Sequence, residues 1–265
     1  MLKNLKIEWM KIKNYRVFQV FSALYLMGLL LVVYIFYKVY LNVVGSVQQT
    51  VTGTQGKGSD VLNLFSSEFL MQTVCFWTGF LLYLPGMIII SLFINEVNFK
   101  TNRQNIIDGW KRETYIFSKI GLIACMAVVI AIVNLIAGFI MSEVVGVSMS
   151  ADALKMVGFS FVQAMVYLLF ALLLATFFRR SGVAIIVFFI YGLLLEFLFM
   201  WIAGKISPGL QHFMPLQVAD SLTPFPRLRD FYIGLPSETV MLFAAMAFGG
   251  LYAFLTVRKY KYDDL

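Results

Sequence analysis

Six stretches of this chain, near Val17–Tyr37, Leu70–Ile94, Ile120–Met141, Met156–Phe178, Gly182–Ala203 and Val240–Val257, run for roughly 18 to 25 residues with almost no charge. A hydrocarbon layer ~30 Å thick requires ~20 apolar residues of helix, so each stretch is long enough to cross a bilayer. The stretches are continuously apolar, without the alternation that a barrel wall needs, and a helix satisfies its own backbone groups in lipid. Composition agrees: 60% of the 265 residues are hydrophobic and 13% are charged, at a mean hydropathy of +0.83. A soluble domain of this length could not hide that much apolar surface. The expected fold is an all-α polytopic membrane protein with six transmembrane helices, the membrane domain occupying residues 17–257.

A net charge of +7 would suit nucleic acid, but the placement of the basic residues points to topology instead. Alternate sides of the six spans hold 15 and 6 Lys and Arg, the larger number lying on the side of both termini. That side is expected to be cytoplasmic, and the short tail 258–265 with it. Asp and Glu show no such bias. The amino terminus does not read as a cleavable leader: its polar region is long, contains Glu8, and is followed by ~21 apolar residues.

Residues 1–16 read as an amphipathic interfacial helix. Leu2, Leu5, Trp9 and Ile12 share a stripe, with Trp9 as the membrane-interface anchor, while Lys3, Lys6, Glu8, Lys11 and Asn14 lie away from it. The competing reading is a solvated basic leader. Five of the six prolines, Pro208, Pro215, Pro224, Pro226 and Pro236, fall between the fifth and sixth spans. Segment 204–239 is therefore expected to form an outer cap or re-entrant element of short helices. Pro85, followed by Gly86, is expected to kink the second span. Ala245, Gly249 and Ala253 permit close approach of the last span to a neighbour from this chain or another.

Catalytic chemistry finds little to work with. The single histidine, His212, excludes a multi-histidine metal site and reads as a polar residue of the cap; no metal site is predicted. Cys75 and Cys125 both fall in spans and read as buried free thiols. Gly-Lys-Gly-Ser at 56–59 lacks the spacing of a phosphate-binding loop, so no nucleotide or other cofactor is expected on this chain. Glu196 is the one acid inside a span. Such a group is costly in lipid: it lines a substrate path, or it reaches the outer interface or the Pro-rich cap.

Between spans two and three, residues 95–119 exceed what a simple turn requires. Thr101 or Asn102 suits a helix N-cap, Arg103, Gln104, Asn105, Ile106, Ile107 and Asp108 supply two turns, and Gly109 suits the left-handed stop. Trp110 follows, and Lys111, Arg112 and Lys119 lead back to the membrane interface. The mixed surface suits a protein contact; the alternative is a helix resting on lipid headgroups.

The run Glu96, Thr101, Asn105, Ile106, Ile107, Asp108, Gly109, Arg112, Lys119 resembles the first cytoplasmic loop of bacterial ABC-exporter permeases of the type-two class. The leader LKIEWMKIKNYRVF resembles that family's amino-terminal interfacial helix, and MPLQVADSL at 214–222 its segment before the last span. The resemblance implies that the short helix, residues Thr101 to Gly109, is a coupling helix docking on a separate cytoplasmic ABC ATPase. It also implies two permease chains per assembly, as homodimer or heterodimer, in the bacterial inner membrane, with ATP and magnesium on the ATPase and no catalysis by this chain. By analogy, Pro85 and Glu196 would face the translocation path. The alternative function is a secondary transporter or channel that works without an ATPase; its usual inverted repeat has no counterpart here. An intramembrane enzyme ranks third.

Overall fold

The computed structural model describes residues 2–49, 63–107, 109, 111–226, 234 and 236–262. Among them six helices are long and apolar enough to span a membrane: Arg16–Asn42, Leu70–Asn98, Arg112–Val145, Asp152–Phe177, Ser181–Ile206 and Glu238–Tyr262. The described elements are helical throughout. Within or beside the spans run α1 (Leu2–Lys13), α2 (Arg16–Gln49), α3 (Leu70–Gly79), α4 (Tyr83–Asn98), α5 (Thr101–Ile107) and α6 (Arg112–Val145). They are followed by α7 (Asp152–Phe177), α8 (Ser181–Ile190), α9 (Glu196–Ile206), α10 (Gln217–Asp220) and α11 (Glu238–Tyr262). Residues 56–59 lie outside the described residues.

Spans two and four form the inner layer, and spans one and five are the most exposed. In lipid this distribution is stable, because an exposed Leu there loses little against the acyl chains. What binds the helices is close packing and interhelical polar contact. A Cβ on Gly86 would stand 2.5 Å from the ring of Phe188, so glycine lets α4 seat α8 directly against its backbone. Asn134 donates to the Ser160 hydroxyl at 2.9 Å and joins α6 to α7, a contact worth about 0.6 kcal/mol in a membrane. The small-residue stripe of the last span meets its own chain: Ala245 and Gly249 are buried, Gly249 beside Val166 and Leu169 of α7.

The second span is interrupted. A 3-10 turn at Phe80–Leu82 separates α3 from α4. Pro85 lies just beyond it, lacking the N–H that would bond back to Leu81 and crowding that carbonyl. The fifth span is also irregular: Tyr191–Leu195 is a π turn between α8 and α9.

Several local expectations are corrected. Glu8, placed on the solvated face of α1, is fully buried, while Trp9 is 54% exposed. A helical wheel separates Glu8 from the Trp9 stripe but knows nothing of the cation waiting on α6. Lys119, expected at the membrane interface, is also buried. Thr101 and Asn102 are not N-caps. The chain reverses one residue earlier, at Lys100, whose φ is 56°. The Thr101 hydroxyl then donates back to the Glu96 carbonyl at 3.1 Å, serving the last turn of α4 instead of the first turn of α5. Of the two thiols, Cys75 is buried, but Cys125 is exposed on the outside of α6.

Candidate functional site

Two regions, one at each end of the bundle, gather polar side chains that the apolar spans would otherwise exclude. At the end that carries α1, α5 and the end of α11, the centre is Lys119. Its ammonium lies 2.5 Å from Glu8 Oε2 and 2.5 Å from Glu96 Oε1. The second Glu96 oxygen accepts the Tyr115 hydroxyl at 2.7 Å, and the second Glu8 oxygen faces the Ser118 hydroxyl at 3.4 Å. Each charge is thus paired and hydrogen-bonded, as burial demands. Tyr115 stacks on Tyr260 with ring centroids 5.2 Å apart, and the Tyr260 hydroxyl accepts the buried Asn102 amide at 3.3 Å. Helix α5 is therefore tied through Asn102 to α11, and through Thr101 and Glu96 to α4 and α6.

The opposite face of α5 is open. Thr101, Gln104 and Gly109 are exposed, Ile106 is half-buried, and Ile107 is 77% exposed. Gly109 has φ 97° and its amide bonds to the Ile106 carbonyl at 3.0 Å, the left-handed stop expected from the sequence. Asp108 and Trp110, and the side chains of Arg103 and Asn105, lie outside the described residues.

At the far end the Pro-rich segment packs as a cap. Its described part contains a 3-10 turn at Leu210–Phe213 and the one-turn helix α10. Side chains from four spans hold it. Gln72 donates to the Pro224 carbonyl at 2.8 Å, and the Tyr252 hydroxyl donates to the Pro215 carbonyl at 3.0 Å. Asp220 accepts from Gln163 at 2.9 Å and from the Tyr167 hydroxyl at 2.9 and 3.0 Å. Glu196 Oε1 accepts the amides of Leu216 at 2.6 Å and Gln217 at 2.7 Å, the start of α10. Of the sequence readings of Glu196, the contact with the Pro-rich cap is the one the geometry displays. His212 is buried in this cap, with Gln211 at 3.2 Å.

Beneath the cap is a cavity of about 190 Å3, lined in part by Tyr83, Gln163, Tyr167, Glu196 and Asp220. Burial pushes the Asp220 carboxyl up to about 6, against the opposing pull of the hydrogen bonds from Gln163 and Tyr167. Pro85 is buried and is not among the lining residues, so the two residues expected to share a path are not brought together. Sequence reasoning missed Asp220, Gln163, Tyr167 and Tyr83. The available signal was Gln163 and Tyr167, two polar groups four apart on one face of an otherwise apolar span.

No protein-family model matches the chain, and no curated protein matches it. Fold and composition define a helical protein with six helices suited to span a membrane.

Proposed function

We propose that this chain is the non-catalytic membrane subunit of an ATP-driven exporter, with both termini and α5 in the cytoplasm of a bacterial inner membrane. The observation that carries the reading is the two-sidedness of α5. Its inner residue Asn102 is anchored to Tyr260, while Ile107 and Gln104 stand exposed at its outer side. A short helix built this way transmits a push instead of absorbing it. Force applied at Ile107 would pass through Asn102 to span six, and through Thr101, Glu96 and Lys119 to spans two and three. The partner is a cytoplasmic ABC ATPase that binds ATP and magnesium, and a second permease chain completes the assembly. The exposed apolar faces of spans one and five leave room for that chain or for lipid. This chain supplies the path and the lever, and the ATPase supplies the chemistry.

The test is to purify the tagged chain from its native membrane in mild detergent and identify what accompanies it. An ATPase present at about one copy per chain, lost when Ile107 becomes Asp or Asp108–Gly109 is replaced, is the expected result. No ATPase with either chain, although both remain inserted and folded, would overturn the reading in favour of an ATPase-independent transporter or channel.

A further inference from the structure

The cavity under the cap is unlike the rest of the bundle. Two carboxyl side chains, Glu196 from span five and Asp220 from the cap, line one small space. They are supported unequally. Asp220 takes three hydrogen-bond contacts from Gln163 and Tyr167. Glu196 is 4% exposed, and its Oε1 is occupied by two backbone amides. Among the described residues its Oε2 makes no hydrogen bond, and the residue lines the cavity. Lys205, nearby in sequence, sits over the Trp201 ring at 3.4 Å instead. That oxygen is left to the cavity, and a cation there would complete it.

The remaining walls select the kind of cation. The Gln163 and Tyr167 donors are already committed to Asp220, and Phe76, Phe80, Phe197 and Phe225 complete much of the lining. Phe76 meets Phe80 and Phe225 edge-on, with centroids 5.4 and 5.2 Å apart. Aromatic faces beside carboxylates hold an organic ammonium well, because ring quadrupoles attract a cation that has exchanged its water for an apolar coat. A metal ion finds no cluster of three His, Cys, Asp or Glu side chains to hold it among the described residues. Size sets a second limit. A cavity of ~150 Å3 holds a benzene, so about 190 Å3 suits a compact ammonium head and not a whole lipid or peptide. Phe80 and Phe197 are both more than half exposed at the outside of the bundle, so an attached chain could leave between them into the surrounding apolar phase.

We infer that the space between Glu196, Asp220 and the surrounding phenylalanines is a binding site for an organic ammonium group. The site needs no ATPase, and it stands or falls separately from the exporter reading. Its ligand is a compact alkylammonium, either free or carried as the headgroup of a membrane lipid.

The experiment titrates the purified full chain, in nanodiscs of phosphatidylglycerol, with choline and with the neutral isostere in which carbon replaces nitrogen, followed by calorimetry. Choline is expected to bind, and the isostere at least about tenfold more weakly. Glu196→Gln keeps an oxygen for the Leu216 and Gln217 amides while removing the charge, so the cap is retained; it should weaken choline about tenfold, as should Asp220→Asn. Repeating the titration in phosphatidylcholine separates the sources. Reduced choline affinity there assigns the site to a lipid headgroup, and unchanged affinity assigns it to a free cation. Equal binding of choline and isostere, equal binding by wild type and both variants, or no binding of choline to wild type in phosphatidylglycerol would overturn the inference.

Discussion

Lys119 Nζ lies 2.5 Å from a carboxylate oxygen of Glu8, a residue 111 positions earlier, in a region where both side chains are buried. Glu96 stands 2.5 Å from the same ammonium, so one cation serves two carboxylates. Removing the cation should therefore be worse than removing either acid. Lys119→Met is expected to cost about 3 to 5 kcal/mol, whereas Glu8→Gln keeps a hydrogen-bonding group and costs less. Thermal unfolding in detergent, followed by tryptophan fluorescence, checks the order. If the triple neutral variant Glu8→Gln, Glu96→Gln, Lys119→Met unfolds no later than Lys119→Met alone, stranded charge is not the cause.

Two left-handed residues bracket α5, and only one of them is glycine. Lys100 at φ 56° carries a side chain in a region that costs roughly 1 to 2 kcal/mol, so Lys100→Gly should relieve strain. Gly109 at φ 97° has the opposite prognosis. Gly109→Ala should loosen the end of α5 by a similar amount. Hydrogen exchange at the α5 amides should slow in the first variant and quicken in the second.

The Tyr83 hydroxyl sits where a Cβ on Gly192 would be, at the π turn of span five. Gly192→Ala is expected to overpack this contact and destabilise by about 1 to 3 kcal/mol. Tyr83→Phe should restore part of the loss when combined with it. Additive damage in the double variant would show that the hydroxyl is not what meets the new methyl.

Asp220 supplies the pH dependence. Its folded carboxyl titrates near 6, above the ordinary value near 3.8, so between those values the folded state holds a proton that the unfolded chain has released. The favourable contribution is complete below the ordinary value and is lost as pH rises through about 6. Glu196, Gln163 and Tyr167 face the same space. Wild type should thus lose stability relative to Asp220→Asn between about pH 4 and pH 7, by at least about 2 to 4 °C in melting temperature. A difference that does not change with pH would place the titrating group elsewhere.

The membrane spans were legible because length and apolarity alone identify them, and the observed helices overlap every expected stretch. Gly109 was legible for a related reason: a left-handed stop leaves few residue choices. Lys100 was not, since a lysine announces no such turn. Glu8 was misplaced because a helical wheel treats a helix as isolated, whereas the burial of Glu8 depends on Lys119 arriving from another span. The cavity was half visible. Glu196 stood out as a lone acid among leucines and phenylalanines, but Asp220 sits in a polar, Pro-rich segment where an acid attracts no notice. Only the fold sets the two beside one space.

The two amides held by Glu196 Oε1 belong to the cap, and the carboxylate belongs to span five. Neither amide can exchange its hydrogen with water while that oxygen covers it, whatever the rest of the cap is doing. Deuterium uptake at Leu216 and Gln217 thus works as a clock on span five, ticking each time the helix draws away from the cap.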